Sequence, residues 1–112
     1  MYNLVKILTI IIPVFNEEKT IYKLLDIVFN LNLEKNIKKE IIIINDFSKD
    51  KSKNEIERFI KKFNPENLNF IENKINLGKG GSIKKALNYA NGDYCIIQDA
   101  DLELNPSEIN NL

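Results

Sequence analysis

The sequence predicts an α/β protein with a three-layer, Rossmann-like parallel sheet. Four short runs rich in β-branched residues recur along the chain, and stretches with helical spacing of apolar residues separate them. Turn-forming residues stand at the junctions. The order βαβαβαβ favours parallel pairing through right-handed crossovers, with helices on both faces of the sheet.

The first predicted strand, 7–12, is a continuous run rich in β-branched residues, as expected for a parallel strand covered on both faces, and the second predicted strand is 40–44. Pro13 cannot donate to a strand ladder, so it predicts the end of the first strand. Asn16 is then the predicted N-cap of a helix, with Glu17 in its first turn. The apolar stripe of that helix consists of Ile21, Leu24, Leu25, Val28 and Leu31.

The second half repeats this unit. A second helix is predicted before Pro65, and a weaker third strand covers 68–71. A flexible turn at 78–82 leads into a third helix that ends at Gly92, and the fourth strand covers 94–97. The predicted inward residues are Ile56, Phe59, Ile60 and Phe63 in the second helix, and Ile83, Ala86, Leu87 and Ala90 in the third.

Composition narrows the classes of function. The 112 residues suit one domain or part of one, and 16 basic side chains balance 16 acidic ones. Because the net charge is zero and no block of basic residues stands out, nucleic acid is not expected as the main partner. The chain has no histidine, which excludes Ser-His-Asp triads and histidine zinc sites. Cys95 stands alone in an apolar run, which predicts a buried, inert thiol and a reducing, cytoplasmic location.

Polar residues follow three of the four strands, at 13–17, 45–50 and 99–103. Ligands of such sheets bind beyond the carboxyl ends of the strands. Asp99 and Asp101, one residue apart, are able to converge on a hard cation such as Mg²⁺ or Mn²⁺, with Glu103 as a third ligand. A solvated acidic loop, or Asp101 as a helix cap, is the alternative, and it would be favoured for an isolated motif.

The other candidates also have two interpretations. Asp46 suits the N–H edge of a nucleobase, but its neighbours equally favour an ordinary turn. Phe15 either flanks a base or packs on the first helix, and Glu17 either binds a ribose hydroxyl or serves the helix dipole. The glycine-rich stretch 78–82 is not a Walker sequence, so a tight turn is favoured over a phosphate loop, with Lys79 nearby for an anionic ligand.

Four stretches carry a family resemblance: TIIIPVFNEE at 9–18, EIIIINDFSKD at 40–50, NLGKG at 76–80 and GDYCIIQDADLE at 92–103. Together they resemble the N-terminal half of family 2 glycosyltransferases of the GT-A fold, and within that family the polyprenyl-phosphate and dolichyl-phosphate sugar transferases. Two positions depart from the family pattern: Asn45 stands where an aspartate is frequent, and Phe47 where glycine is common.

The resemblance implies that residues 1–112 are the nucleotide-sugar-binding domain, truncated after Asp99-Ala100-Asp101. It implies a UDP- or GDP-sugar donor, inverting transfer, and an acceptor of the polyprenyl-phosphate class at the cytoplasmic membrane face; it identifies no catalytic base. The implied donor contacts are Pro13, Phe15, Glu17, Ile44, Asp46, Asp99, Ala100 and Asp101. The implied ligands of Mg²⁺ or Mn²⁺ are Asp99, Asp101 and Glu103.

The sequence leaves two alternatives to an enzyme. A non-catalytic nucleotide-sugar-binding module, or an inactive fragment, would share the same donor site. A receiver-like signalling domain would need an aspartate at the end of the third strand, where Ile71-Glu72-Asn73 offers none. The missing later part of the sheet also predicts an unpaired, apolar edge at 94–97, which favours self-association.

Overall fold

The strands and helices follow one another in the predicted order. A computed structural model describes residues 4–102. The strands are β1 (Lys6–Val14), β2 (Ile37–Asn45), β3 (Leu68–Glu72) and β4 (Tyr94–Ile97). The helices are α1 (Ile21–Phe29), α2 (Ser52–Phe63) and α3 (Gly78–Leu87).

All four strands pair in parallel, in the spatial order β3-β2-β1-β4. The chain therefore builds the sheet in one direction from β1 to β3, and then returns past β1 to form β4 on the other side. The order reverses between β1 and β4, which is where open α/β sheets leave a crevice at their carboxyl ends. The register brings Val14 opposite Asn45 and Ile11 opposite Ile97.

Apolar side chains fill both faces of the sheet. On one face, α1 and α2 cover β1 and β2, with the α2 ring of Phe59 fully buried against Tyr22 and Phe29. On the other face a smaller cluster forms under α3, where Ala86 packs with Ile11, Ile42 and Ile44. The alternation of consecutive isoleucines between the two faces confirms the predicted three-layer α/β architecture.

Pro13 lies inside β1 rather than at its end, opposite Ile44. The backbone explains this difference. The carbonyl of Ile11 accepts from Gln98 on the β4 side, whereas that of Val14 accepts from Asp46 on the β2 side. Residue 13 therefore directs its nitrogen toward β4, whose pairing with β1 already ends at Ile97. Because residues 4–102 provide no ladder partner at that point, the missing N–H of proline costs no hydrogen bond there.

Two predicted helix starts were misplaced. Asn16 is not an N-cap: α1 begins at Ile21, after Thr20, and Asn16 adopts a left-handed backbone with φ of 53°. The stretch 78–82 is the first part of α3 rather than a flexible turn. The helix begins here because the carboxylate of Asp46, in the loop after β2, accepts hydrogen bonds from its first N–H groups.

The end of α3 also differs from the prediction. The helix ends at Leu87, which is 47% exposed, so this leucine does not point inward as predicted. Gly92 lies beyond the helix, where a Cβ atom would stand 2.3 Å from the hydroxyl of Thr9. The requirement for glycine at 92 therefore comes from close packing on β1 rather than from a helix cap.

Cys95 is exposed, which contradicts the predicted buried thiol. It lies on β4, whereas α3 packs mainly over β1 and β2 within residues 4–102. Within residues 4–102, β4 has β1 as a neighbour on one side and no strand on the other. No helix in this same range is both long and apolar enough to cross a bilayer.

Candidate functional site

A cavity of about 410 Å³ opens at the carboxyl ends of β1, β2 and β4, beside the first turn of α3. This is the edge of the sheet at which the strand order reverses. The residues that line it are Pro13, Val14, Phe15, Glu17, Asp46, Asn76, Gly78, Lys79, Ser82, Asp99, Ala100 and Asp101.

Most of the residues predicted for the site meet at this cavity. The structure brings together seven of them from the ends of three strands and the loops that follow: Pro13, Phe15, Glu17, Asp46, Asp99, Ala100 and Asp101. Ile44 does not belong to the lining, because its side chain is fully buried in the core beneath α3. Glu103, the third predicted metal ligand, lies outside the described residues.

The loops after β1 and β2 are fastened to each other. The amide of Asn16 donates to the Ser48 hydroxyl at 3.0 Å, and the amide of Lys49 returns a bond to the Asn16 side chain at 2.8 Å. The amide of Glu17 donates to the Ser52 hydroxyl at 2.8 Å. This pairing holds the left-handed turn at Asn16 and fixes the backbone that presents the Phe15 and Glu17 side chains to the cavity.

Asp50 strengthens this junction. Its carboxylate accepts from the amide of Glu18 at 3.1 Å and from the amide of Ser52 at 2.9 Å. Burial by itself would raise the pKa of Asp50, but the hydrogen bonds from Ser52 and Glu18 outweigh burial and lower that pKa. The carboxylate is therefore held in the charged form that caps the start of α2.

Asp46 is buried and holds the start of α3. Its two carboxylate oxygens accept from the backbone amides of Leu77 at 2.6 Å and Gly78 at 2.8 Å. The amide group of Asn73 donates both to Asp46 and to the buried Ser82 hydroxyl, each at 3.0 Å. The N–H groups of Leu77 and Gly78 are the first of helix α3. Asp46 therefore caps this helix and counters its dipole.

The segment that contains Asp99 and Asp101 is tied to α1. The hydroxyl of Thr20 donates to the carbonyl of Ala100 at 2.6 Å and lies 3.2 Å from a carboxylate oxygen of Glu17. Nothing in the sequence around Thr20 indicates this contact, because it joins residues that are 80 positions apart. Thr20 thus sets the position of the acidic segment relative to the loop after β1.

The charges in the cavity are unequal. Four carboxylates line it, from Glu17, Asp46, Asp99 and Asp101, whereas Lys79 is the only cation among the described lining residues. Lys79 forms an ion pair with Asp99 at 2.5 Å. An anionic ligand would meet an excess of negative charge here unless a cation entered with it.

The donor atoms suit a hard divalent cation that brings other ligands with it. Asp99 and Asp101 place carboxylates at one cavity. Carboxylate oxygens are ligands that Mg²⁺ and Mn²⁺ prefer. Within residues 4–102 no cluster of three His, Cys, Asp or Glu side chains is able to hold a metal ion by itself. This arrangement fits Mg²⁺, which typically takes one or two carboxylates and completes its shell with phosphate oxygens and water.

Sequence reasoning missed several lining residues. Val14 and Asn76 were not selected, and Gly78, Lys79 and Ser82 were assigned to a flexible turn rather than to a wall of the cavity, although Lys79 was noted as a residue near an anionic ligand. The order of the elements could have indicated these residues, because α3 connects β3 to β4 and β4 lies on the other side of β1. The start of that crossover helix therefore lies beside the carboxyl ends of β1 and β4.

Known proteins provide an independent comparison. The model of glycosyl transferase family 2 matches residues 9–112. A dolichyl-phosphate beta-glucosyltransferase of Dictyostelium discoideum is 35% identical over 99 residues, which cover 84% of this chain and 30% of that protein. An undecaprenyl-phosphate 4-deoxy-4-formamido-L-arabinose transferase of Shewanella sediminis is 34% identical, covering 93% of this chain and 31% of that protein. The chain thus spans about 30% of the length of these relatives.

Solved structures share the fold. A mannosyltransferase of Pyrobaculum calidifontis, in complex with GDP-mannose and Mn²⁺, superposes with a TM-score of 0.79 at 26% identity; the match covers 87% of this chain and 28% of that one. TarS of S. aureus superposes with a TM-score of 0.70 at 27% identity, covering 84% of this chain and 27% of that one. Since the family model spans nearly the whole sequence, this chain belongs to glycosyl transferase family 2.

Proposed function

We propose that this chain binds the nucleoside diphosphate of a sugar nucleotide together with Mg²⁺ or Mn²⁺, as the donor-binding part of an inverting glycosyltransferase. The observation that carries the proposal is the convergence of Glu17, Asp99 and Asp101 on one cavity at the reversal of strand order. Because the carboxylates of this cavity repel a diphosphate, the diphosphate is expected to bind only together with a divalent cation that both groups attract.

The proposed binding places each moiety of the donor against its own loop. Pro13, Phe15 and Glu17 contact the base and ribose, with the half-exposed ring of Phe15 available for stacking. Asp46 lines the base end but also caps α3, so a base would share a carboxylate that already accepts backbone bonds. Ala100 contacts the sugar nucleotide between the two aspartates.

Asp99 and Asp101 are the proposed cation ligands, with Glu103 as the further candidate from the sequence. A bound cation would offset the negative charge of the departing diphosphate. The chain itself orients the donor through the fastened loops after β1 and β2, and through the Thr20 contact to Ala100. The first set of bonds holds the loops after β1 and β2, and the Thr20 bond holds the acidic segment, before a ligand arrives.

The names of the relatives guide the choice of substrates. Structures of TarS contain UDP or UDP-GlcNAc, and the mannosyltransferase contains GDP-mannose and Mn²⁺. Two curated relatives transfer sugars to dolichyl or undecaprenyl phosphate. We therefore propose a UDP- or GDP-sugar as donor and a polyprenyl phosphate as acceptor for the whole protein, which would work at the cytoplasmic face of a membrane.

Calorimetric titration tests the donor site. UDP-glucose and GDP-mannose are titrated into the 112-residue chain with and without Mn²⁺. At least one is expected to bind in the presence of Mn²⁺, and Asp99→Asn or Asp101→Asn is expected to weaken that binding at least about tenfold. Glu57→Gln, which removes an exposed carboxylate from α2, is the matched control and should change nothing.

Two outcomes would contradict this proposal. One is the absence of binding by either sugar nucleotide with Mn²⁺ present, and the other is equal affinity in the wild type and the Asp99 variant. A donor hydrolysis assay on the same samples separates an enzyme from a binding module: binding without turnover favours the module or an inactive fragment.

A further inference from the structure

Lys79 has a contact that protein stability does not explain. Its ammonium group pairs with Asp99 across the cavity, although the lysine side chain is 59% exposed and that of Asp99 is 33% exposed. Exposed ion pairs of this kind contribute little to folding, because water screens the attraction and two flexible side chains lose rotamer freedom. The position of the pair at the cavity therefore suggests a role in binding rather than in folding.

The partner of Lys79 is one of the two carboxylates at which the cation is proposed to bind. An ammonium group and a divalent cation cannot both occupy the same side of Asp99, because they compete for its oxygens and repel each other. A cation that binds the Asp99 oxygen now held by Lys79 therefore displaces the ammonium group. Before the donor arrives, Lys79 supplies the positive charge that the cation supplies afterwards.

The displaced ammonium group remains at the cavity wall, because Lys79 belongs to the first turn of α3. The backbone at this helix start is a poor anion site, since the Asp46 carboxylate already occupies the N–H groups of Leu77 and Gly78. A diphosphate on this side of the cavity would find its positive charge in the lysine side chain rather than in the helix end. Lysine suits this use as a flexible point charge for phosphate.

We infer that Lys79 exchanges partners when the donor binds: it leaves Asp99 to the divalent cation and binds the diphosphate. This inference rests on the proposed function, because the second partner is the diphosphate of the sugar nucleotide. It assigns Lys79 two opposite effects. The residue weakens binding of the cation alone, and it strengthens binding of the nucleotide once the cation is present.

Lys79→Met separates these effects. A titration with Mn²⁺ alone, monitored by electron paramagnetic resonance, is expected to show about threefold to tenfold tighter cation binding in the variant. Titration of UDP and GDP at saturating Mn²⁺ is expected to show about tenfold weaker nucleotide binding in the variant. Lys84→Met removes an exposed charge from the same helix away from the cavity and should alter neither titration. Lys79→Arg keeps the charge and should restore most of the nucleotide affinity.

The two titrations distinguish the failures. If the wild type binds neither UDP nor GDP with Mn²⁺, the proposed function is overturned, and the inferred diphosphate contact falls with it. If the wild type binds a nucleotide and Lys79→Met matches it in both titrations, only the inference about Lys79 is overturned. A variant with weaker nucleotide binding but unchanged Mn²⁺ affinity would also overturn the exchange, because Lys79 would then not compete with the cation.

Discussion

At the scale of single residues, the cavity depends on side chains whose hydrogen bonds are already made within the protein. Asp46 illustrates this most clearly: it is 3% exposed, and its carboxylate accepts from Leu77, Gly78 and Asn73. The same side chain therefore lines the candidate site and caps a helix. A substitution here affects folding as well as binding, and the two effects have to be measured separately.

We expect Asp46→Asn to lower the free energy of unfolding by about 2–3 kcal/mol, because an amide cannot accept bonds from two backbone N–H groups with both of its polar atoms. Urea denaturation measures this loss. Asp99→Asn is the control: its carboxylate is at the surface of the same cavity and pairs with an exposed lysine, so the stability change should stay within about 0.5 kcal/mol. Equal losses in the two variants would contradict the capping role of Asp46.

At the scale of elements, α3 combines a weak helical sequence with a fixed position. Its first turns contain Gly78, Gly80 and Gly81, which disfavour a helix by themselves. The helix nevertheless begins at Gly78 because the Asp46 carboxylate accepts hydrogen bonds from its first N–H groups, and because Ser82 and Ala86 are buried against the sheet. Tertiary contacts thus override local propensity in the element that presents Lys79.

The glycines near α3 should respond oppositely to alanine. At Gly80 an added Cβ has no atom within 4 Å, so Gly80→Ala is expected to raise the free energy of unfolding by about 0.5–1 kcal/mol through better helix propensity. At Gly92 the added Cβ would meet the Thr9 hydroxyl at 2.3 Å, so Gly92→Ala should lower that free energy by about 1–3 kcal/mol. Thermal and urea denaturation of both variants check this, and a stable Gly92→Ala protein would refute the close packing.

At the scale of the whole molecule, one end of the sheet forms the cavity and the other is held together by a hydrogen-bond network. The carboxyl end carries the cavity. Near the start of the strands, Glu40 of β2 accepts from the Thr9 hydroxyl of β1 at 2.8 Å, and from the amide and side chain of Asn91 at 2.8 and 3.0 Å. This network ties the segment before β4 to the two central strands.

The Glu40 network predicts a loss of stability in acid. Burial by itself would raise the pKa of Glu40, but the hydrogen bonds from Asn91 and Thr9 outweigh burial and lower it from 4.5. A carboxylate with a lowered pKa in the folded state stabilises the fold fully above its unfolded pKa, and loses this contribution as the pH falls through the folded value. Between about pH 6 and about pH 3, the wild type should therefore lose more free energy of unfolding than Glu40→Gln.

Denaturation curves at several pH values measure this difference. Glu57→Gln, on the exposed side of α2, should keep the pH dependence of the wild type. If Glu40→Gln shows the same acid loss as the wild type, the network does not hold a charged carboxylate.

The exposed side of β4 leads to a prediction about association. Tyr94 is 60% exposed and Ile97 is 41% exposed, on a strand with a free backbone edge within residues 4–102. Such an edge favours pairing with another chain. We expect the isolated 112-residue chain to self-associate in sedimentation experiments, and Ile97→Lys to shift it toward monomer. Ile75→Lys, which changes an isoleucine that is 65% exposed in a loop, should not. A wild type that stays monomeric at high concentration would contradict this prediction.

Particular residues show how far sequence reasoning reached. The isoleucine runs of β1 and β2 indicated strands buried on both faces, and both cores confirm it. Periodicity also identified the inner face of α2, with Ile56 and Phe59 fully buried. The family resemblance implied a ligand contact for Ile44, but this residue lies within β2 and is fully buried beneath α3, whereas Asp46 follows the end of the strand and lines the cavity.

The sequence by itself determined the layers and the strand ends that carry polar residues, because hydrophobic periodicity and turn chemistry act over a few neighbouring positions. Only the tertiary structure decided that Asp46 caps α3, that Thr20 binds the Ala100 carbonyl and that Lys79 meets Asp99. Each of these contacts joins residues 20 or more positions apart. Their geometry depends on how the strands are ordered and how the helices pack, and local sequence does not encode it.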